Sequence, residues 1–251
     1  MTGDEYVELV LAKYAVATGP TSSAMVAANS IAPTLRTWAG VHLSELTVAG
    51  SYAKGTAVAG RTDVDLFISL RSETPGTLKE LYDSLYLKAV GQAWFPRKQN
   101  VSIGITIGGV KIDLVPGRIQ PGYQNWHSLW KNKANTWTQT NVALQTGTVR
   151  DSGRTREIRA IKIWRQNHGL DFPSFYLELT VLDALRLYGS SLAPNIQTVL
   201  KYLSESFVGA SVIDPGNTNN TVSDDLTAAE QRTIATQAKR SHADPWDQTL
   251  W

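Results

Sequence analysis

Apolar residues recur at spacings of three and four along some stretches of this chain and alternate with polar ones along others, and the two periods mark out its elements. In 21–40, Met25, Ala28, Ile31 and Leu35 share one helical face, Ser and Thr stand at the start and Gly40 at the stop; Pro33 is expected to kink or split this helix. Residues 46–49 read as a short strand ending at Gly50-Ser51, followed by a helical turn around 52–57, and Gly60 turns the chain into a strand over 63–70. Leu78, Leu81, Leu85 and Ala89 predict a helix over 77–94 that Pro96 ends. A hairpin comes next: 101–107 alternates, Gly108-Gly109 is a two-residue turn of the primed type, and Val110-Lys111-Ile112-Asp113-Leu114-Val115 returns.

After Pro116 the chain turns polar, with Trp126, Trp130 and Trp137 among Asn, Gln and Thr and no clear period. Residues 116–153 are therefore expected to link two domains, with the tryptophans packing between them. Helical spacing resumes at Thr155. One helix is expected to Asn167 with Gly169 as its stop, a second from Pro173 to near Gly189, a third from Pro194 to near Phe207, and a last one opened by the capping box Thr227-Ala228-Ala229-Glu230 and running to about His242. Residues 214–224 read as a loop and 244–251 as a tail, mobile or docked. Strands come early and helices late, which predicts an α+β class: a mixed sheet flanked by helices in 1–150, with an N-terminal helix and a linker, and a helical domain in 151–251.

With 251 residues, 42% of them hydrophobic, the chain can bury an ordinary core. It has no Cys, which excludes disulfides, thiolate zinc sites and cysteine nucleophiles, and its four His are scattered without ligand spacing, so no zinc is expected. No apolar run approaches the roughly 20 residues that span a bilayer, and Met1-Thr2-Gly3-Asp4-Glu5 lacks the features of a secretory signal. A cytoplasmic location with no membrane partner is the expectation. The net charge of +2 is too small to predict a polyanionic partner. Its distribution is less even: Arg150, Arg154, Arg156, Arg159, Lys162 and Arg165 face only Asp151 and Glu157 within one segment.

The strongest chemical signal is a spacing. Eleven residues separate Gly50-Ser51 from Asp63-Val64-Asp65-Leu66. In a strand, Asp63 and Asp65 project to one side while Val64 and Leu66 face the core. Asp113, on the return strand of the hairpin, lies on the face opposite Ile112 and Leu114 and supplies a third strand carboxylate. Oxygen-only donors without nearby His or Cys suit Mg²⁺, with Mn²⁺ as a substitute. Three such carboxylates match two-metal phosphoryl transfer, with Asp63 and Asp65 bridging both ions and Asp113 holding the second beside the nucleophile. Gly50 leaves room for close backbone approach, and the N–H groups of the next turn with the Ser51 hydroxyl can receive phosphate oxygens.

These residues resemble a family. Ala49-Gly50-Ser51, the spacing to Asp63-Val64-Asp65-Leu66, and Asp113 on a later strand are similar to the signature of the DNA polymerase β-type nucleotidyltransferase superfamily. Within it, Gly50-Ser51-Tyr52-Ala53-Lys54-Gly55-Thr56-Ala57 resembles the 2′-5′-oligoadenylate synthetases, the bacterial cGAS/DncV-like nucleotidyltransferases and the archaeal CCA-adding enzymes. Ile158-Arg159-Ala160-Ile161-Lys162-Ile163-Trp164 is similar to the helix whose lysine holds nucleotide phosphates, and Ser174-Phe175-Tyr176-Leu177-Glu178-Leu179 to the next helix, where an aromatic at the position of Phe175 stacks on the base. Ile213-Asp214-Pro215 is similar to a late Asp-Pro loop, so the resemblance extends from about Ile31 to Ile234.

The resemblance implies a nucleotide cleft between the two domains. Gly50, Ser51, Lys54, Lys162, Ser174 and Phe175 would be on the nucleotide, and Asp63, Asp65 and Asp113 on two Mg²⁺ ions. Other readings stand beside these. Phe175 and Tyr176 open an apolar helix, where aromatics are often core; Glu178 fits a structural ion pair; Arg159 and Arg165 share the face of Lys162 and fit a cleft or a solvated surface equally.

The implied reaction is template-independent transfer of NMP from an NTP to a ribose hydroxyl, releasing pyrophosphate. The leading acceptor is another nucleotide, giving a linear or cyclic oligonucleotide signal; the rival is an RNA 3′ end, as in CCA addition. At 251 residues the chain is expected to lack the additional C-terminal domains with which archaeal CCA-adding enzymes grip tRNA. A non-catalytic NTP- or RNA-binding relative is disfavoured because such relatives lose a metal carboxylate, and all three are present.

Overall fold

The computed structural model describes residues 1–60, 63–187, 189 and 191–250, with the backbone alone of Asp247. The chain runs through α1 (Gly3–Lys13), α2 (Ser23–Ala39), β1 (Leu43–Val48), α3 (Gly50–Lys54), β2 (Val64–Leu70), α4 (Leu78–Gly91), β3 (Arg97–Lys98), β4 (Ile103–Ile107) and β5 (Val110–Gln120). It continues through β6 (Tyr123–Lys131), β7 (Thr136–Thr140), α5 (Val142–Arg150), α6 (Thr155–Asn167), α7 (Ser174–Ala184), α8 (Leu192–Glu205), β8 (Ile213–Asp214), β9 (Asn217–Thr221), α9 (Ala228–Ala243) and α10 (Trp246–Thr249). The class is α+β. Two compact units divide it, Ala17–Lys54 with Thr62–Thr146, and Met1–Val16 with Gly55–Arg61 and Gly147–Trp251.

In the first of these, β1 to β7 form a seven-stranded sheet in the order β1-β2-β5-β4-β3, with β6 on β5 and β7 on β6. Only β2 and β5 run parallel; the other pairs are antiparallel. Alternation sorts the side chains of β2 as expected. Val64, Leu66, Ile68 and Leu70 join Ile103, Ile105, Ile112 and Leu114 in a core that Ala28, Ile31 and Leu35 of α2 and Tyr82, Leu85 and Ala89 of α4 cover. Phe67 packs on the other side with Ala49 and Leu129.

Gly108 and Gly109 both have positive φ, at 55° and 81°, which is what the tight β4–β5 turn requires. Pro33 does not split α2. Ala24, Ala28, Ile31, Leu35 and Ala39 stay buried on either side of it, and this packing outweighs the roughly 3 kcal/mol that an internal proline costs.

Residues 116–153, expected to link two domains, hold regular structure through most of their length. β5 continues through Pro116, β6 and β7 follow, and α5 completes the stretch. Pro116 falls between the last pair with β4, Ile103↔Leu114, and the first with β6, Arg118↔Ser128, where a missing N–H breaks no bond on that side of the strand. Trp130 and Trp137 face each other across β6 and β7. Trp130 packs on the core of its own unit and Trp137 is 56% exposed.

The second unit is helical around one core, to which α1 gives Tyr6, Val7, Val10 and Leu11, α6 Ile158, Ile161 and Trp164, and α8 Ile196, Val199 and Leu200. α1 was not expected here. Its capping box, Thr2 with Glu5, is a start signal in the sequence, and four buried apolar residues hold it. Val58, from the 55–61 segment, enters the same core. The unit is therefore drawn from three pieces of sequence, where 151–251 alone was expected to supply it.

The 214–224 stretch is a small hairpin, β8 paired with β9, rather than a loop; Asp214 accepts from the Gly216 amide at 2.7 Å and so makes its turn. The C-terminal segment is docked: α10 forms, Leu250 is buried, and Asn167 donates to the Leu250 carbonyl at 2.8 Å. Tyr188 of the expected second helix and Trp251 of the expected tail lie outside the described residues. No helix among the described residues is long and apolar enough to cross a membrane.

Leu11 is 3% exposed within the helical core. Leu11→Ala is expected to cost about 2–5 kcal/mol, read as a lowered midpoint in chemical denaturation followed by helical signal.

Candidate active site

The site begins with strand register. β2 and β5 pair in parallel with Asp65 opposite Asp113, flanked by the apolar pairs Val64↔Ile112 and Leu66↔Leu114. Residues directly opposite each other share a face, so the two carboxylates lie side by side while their neighbours enter the core. The row continues across the sheet: Asp113 pairs with Gly104 of β4, and Gly104 with Arg97 of β3. Asp63 immediately precedes β2, partly exposed.

Gly50 opens α3 directly over this row. The Ala49 amide donates to the Asp65 carbonyl at 2.8 Å. Gly50 has φ +57°, and a Cβ built on it would lie 1.7 Å from Asp65 Oδ2. No side chain fits, so the Gly50 backbone sits against the carboxylate for want of one. Ser51 follows in α3, partly buried, and Lys54, its last residue, is buried.

Burial raises the proton affinity of the Asp113 carboxyl, and the negative charge of Asp63 raises it further; the hydrogen bond from Gln99, the nearby Ser102 hydroxyl and the Arg97 charge act the other way. Gln99 Nε2 donates to Asp113 Oδ1 at 2.9 Å, and the Ser102 hydroxyl donates to Gln99 Oε1 at 2.8 Å. Gln99, Ser102 and Gly104 were not singled out in the sequence. A glycine interrupting the alternation of 101–107 is the one sign of a close approach there.

Among the described residues, no three acidic or imidazole side chains stand close enough to form a metal group by themselves. The donor chemistry nonetheless fits a hard divalent cation. Asp63, Asp65 and Asp113 offer carboxylate oxygens only, and a cation would oppose the burial and like charge that raise the Asp113 pKa.

The remaining expected site residues lie in the helical unit. Lys162, expected on phosphates, is 2% exposed, and its ammonium donates to Glu178 Oε1 at 2.6 Å and to the Thr56 hydroxyl at 3.0 Å. Thr56 in turn donates to Glu178 Oε1 at 2.6 Å. An ammonium this deeply buried needs an opposite charge, and Glu178 is the structural ion-pair partner that its apolar surroundings predicted. Lys162 thus anchors the 55–59 segment in this structure. Ser174 is exposed and accepts from Arg165 at 3.0 Å, and Phe175 packs against the helical core, half-buried.

The basic segment is similarly tied. Arg150 bonds Asp151 at 2.9 Å, Arg154 bonds Glu157 at 3.2 Å and the Gly189 carbonyl at 2.9 Å, and Arg156 pairs with Glu8. Arg159 reaches the Leu11 carbonyl at 3.1 Å and Arg165 the Phe172 carbonyl at 2.6 Å. These cations hold their own unit together; Arg159 and Arg165 form neither a plain solvated face nor an unengaged one.

Residues 35–102 match the family model of the nucleotidyltransferase domain. That stretch is a nucleotidyltransferase domain by this match, and it holds Gly50, Ser51, Asp63 and Asp65. The whole fold resembles solved structures. The E. coli MS115-1 CdnC structure with ATP has a TM-score of 0.78 at 18% identity, covering 98% of this chain and 94% of that one. The Elizabethkingia meningoseptica CdnE cyclic dinucleotide synthase, with GTP and Apcpp, has a TM-score of 0.71 at 12% identity, and a mutant of the Cid1 poly(U) polymerase, bound to MgATP, has a TM-score of 0.72 at 12% identity with 98% of both chains covered.

 For CdnE the match takes in 97% of this chain and 100% of that one. At these identities the likeness is one of fold. No curated protein matches the chain in sequence.

Two outcomes follow from this geometry. Gly50→Ala places a side chain on the Asp65 carboxylate and a non-glycine residue in left-handed backbone, which alone costs about 1–2 kcal/mol. Displacing the carboxylate is expected to lower nucleotidyl transfer about 10²-fold, read as pyrophosphate release at saturating NTP.

The second outcome concerns pH. The folded chain holds the Asp113 proton more tightly than the unfolded chain does, so metal-free protein should lose stability as pH rises from the ordinary value of 3.8 through the raised one. Asp113→Asn cannot ionise. In chelator-treated protein it should be more stable than the native chain above that window and equal to it below, by urea denaturation across the pH range.

Proposed function

We propose that this nucleotidyltransferase moves NMP from an NTP to the ribose hydroxyl of a second nucleotide, without a template, and builds a linear or cyclic oligonucleotide. The observation that carries the reading is the in-register pair Asp65↔Asp113 beneath the side-chain-free Gly50. Asp63, Asp65 and Asp113 would hold Mg²⁺. When bound, the metal neutralises charge on the leaving pyrophosphate and lowers the pKa of the attacking hydroxyl.

The chain's own part is positioning. Gly50 admits the nucleotide close to the backbone, and the Ser51 hydroxyl is assigned to its phosphates. The acceptor hydroxyl gives its proton to solvent and its oxygen bonds to the α-phosphorus as the bond to pyrophosphate breaks, with Asp113 assigned to the acceptor side. Lys54, Ser174 and Phe175 are assigned to the nucleotide on the family resemblance. Lys162 is assigned the anchoring of 55–59, the segment that follows Lys54 in the chain, because its charge is already paired with Glu178.

The name of one similar structure, a cyclic dinucleotide synthase, supports a nucleotide acceptor. A second reading, transfer to an RNA 3′ end, is favoured by the likeness to the Cid1 poly(U) polymerase. The engagement of Arg154, Arg159 and Arg165 in bonds within their own unit weighs against that segment as an RNA track.

The test is incubation of the protein with labelled NTPs and Mg²⁺, with and without bulk RNA, and separation of the products by size. Label in small oligonucleotides is the expected result; label confined to RNA would support the second reading. Asp63→Ala should abolish pyrophosphate release while keeping native circular dichroism, and undiminished turnover in that variant would overturn the assignment.

A further inference from the structure

The row Arg97, Gly104, Asp113, Asp65 has a gap where Gly104 lacks a side chain, and the amide of Gln99 fills it. A Cβ on Gly104 would lie 2.5 Å from Gln99 Nε2 and 3.2 Å from Asp113 Oδ1. Gln99 comes from the segment between β3 and β4, so it enters the row from the side.

Both ends of the amide are committed. Its nitrogen donates to Asp113 Oδ1 at 2.9 Å, and its oxygen accepts from the Ser102 hydroxyl at 2.8 Å. A hydroxyl donating to the oxygen end and a carboxylate accepting at the nitrogen end fix which way the amide faces. Its backbone is held as well. The Gln99 amide N–H donates to the Ser102 carbonyl at 3.0 Å, and the hydroxyl of the buried Tyr82 donates to the carbonyls of Gln99 and Ser102 at 3.0 and 2.9 Å. A long, flexible side chain is thereby locked at one position against one of the three carboxylates.

We propose that Gln99 is the positioning residue for Asp113: its amide fixes the orientation of that carboxylate and leaves the remaining lone pairs for a divalent cation, and Gly104 is glycine to make room for it. This rests on the reading of Asp113 as a metal carboxylate. Hydrogen bonds to ligating carboxylates commonly matter in this way, because they fix the ligand before the ion arrives.

The test uses the full chain, with Mn²⁺ alone as the binding probe, followed by electron paramagnetic resonance, and with kcat and the KM for NTP measured in parallel. Gln99→Met keeps the length and removes the donor. It should weaken Mn²⁺ binding and lower kcat by about 10–100-fold, with the NTP KM changed far less. Gly104→Ala should do the same with Gln99 still present, since the new methyl occupies the place of the amide, and Ser102→Ala should have a smaller effect in the same direction.

Native Mn²⁺ binding and native kcat in folded Gln99→Met and Gly104→Ala would overturn the proposal; if Gln99→Met does not fold, Gly104→Ala decides alone. Asp113→Asn separates the two levels. Inactive Asp113→Asn beside native-like Gln99→Met and Gly104→Ala overturns the positioning role only, whereas fully active Asp113→Asn overturns the metal reading and this proposal with it.

Discussion

Everything at the candidate site depends on the parallel pairing of β2 with β5. That pairing sets Asp65 beside Asp113, and two carboxylates side by side repel. The same register places Val64, Leu66, Ile112 and Leu114 in the core under α2 and α4, where burial of apolar surface holds the strands together against that repulsion. A slip of one residue would turn the carboxylates into the core and the aliphatic side chains out. The chemistry and the core therefore specify the register together.

The two units treat charge in opposite ways. In the helical unit the basic side chains of α6 and its approaches are matched to Glu157, Glu178, Glu8 or backbone carbonyls, and the most deeply buried of them, Lys162, has a carboxylate at 2.6 Å. On the sheet, like charges are gathered, and Gly50 and Gly104 bring a helix backbone and an amide against them. Like charges gathered on a stable core are a mark of a site that binds something of the opposite sign.

Much of this was legible in the sequence, for physical reasons that can be named. The period of two over 63–70 and 110–115 put Asp65 and Asp113 on one face, whereas Asp63, read as part of the strand, stands just before it; Gly108-Gly109 gave the turn that carries Asp113 back. Helices α2, α4, α6 and α9 followed from apolar spacing and caps. The strands of 116–140 were not legible: Thr, Gln and Trp on a half-exposed sheet leave little contrast between faces, and Pro116 reads as a break unless the gap between β4 and β6 is known. Lys162 is a surface cation by type, and only the packing of α6 and α7 reveals its pairing with Glu178. Gln99 is invisible for a similar reason, since no pattern distinguishes a locked amide from a solvated one.

The composition of the helical unit has a consequence in time. A chain made from its N-terminus delivers α1 well before α6 and α8, against which its apolar face lies. The 17–146 stretch, by contrast, holds nearly all the residues of the sheet and the helices that cover it. During synthesis the sheet can therefore fold while α1 still carries an unburied face, until α6 and α8 have emerged. The order in which the ribosome delivers the pieces leaves α1 waiting for partners made after the sheet.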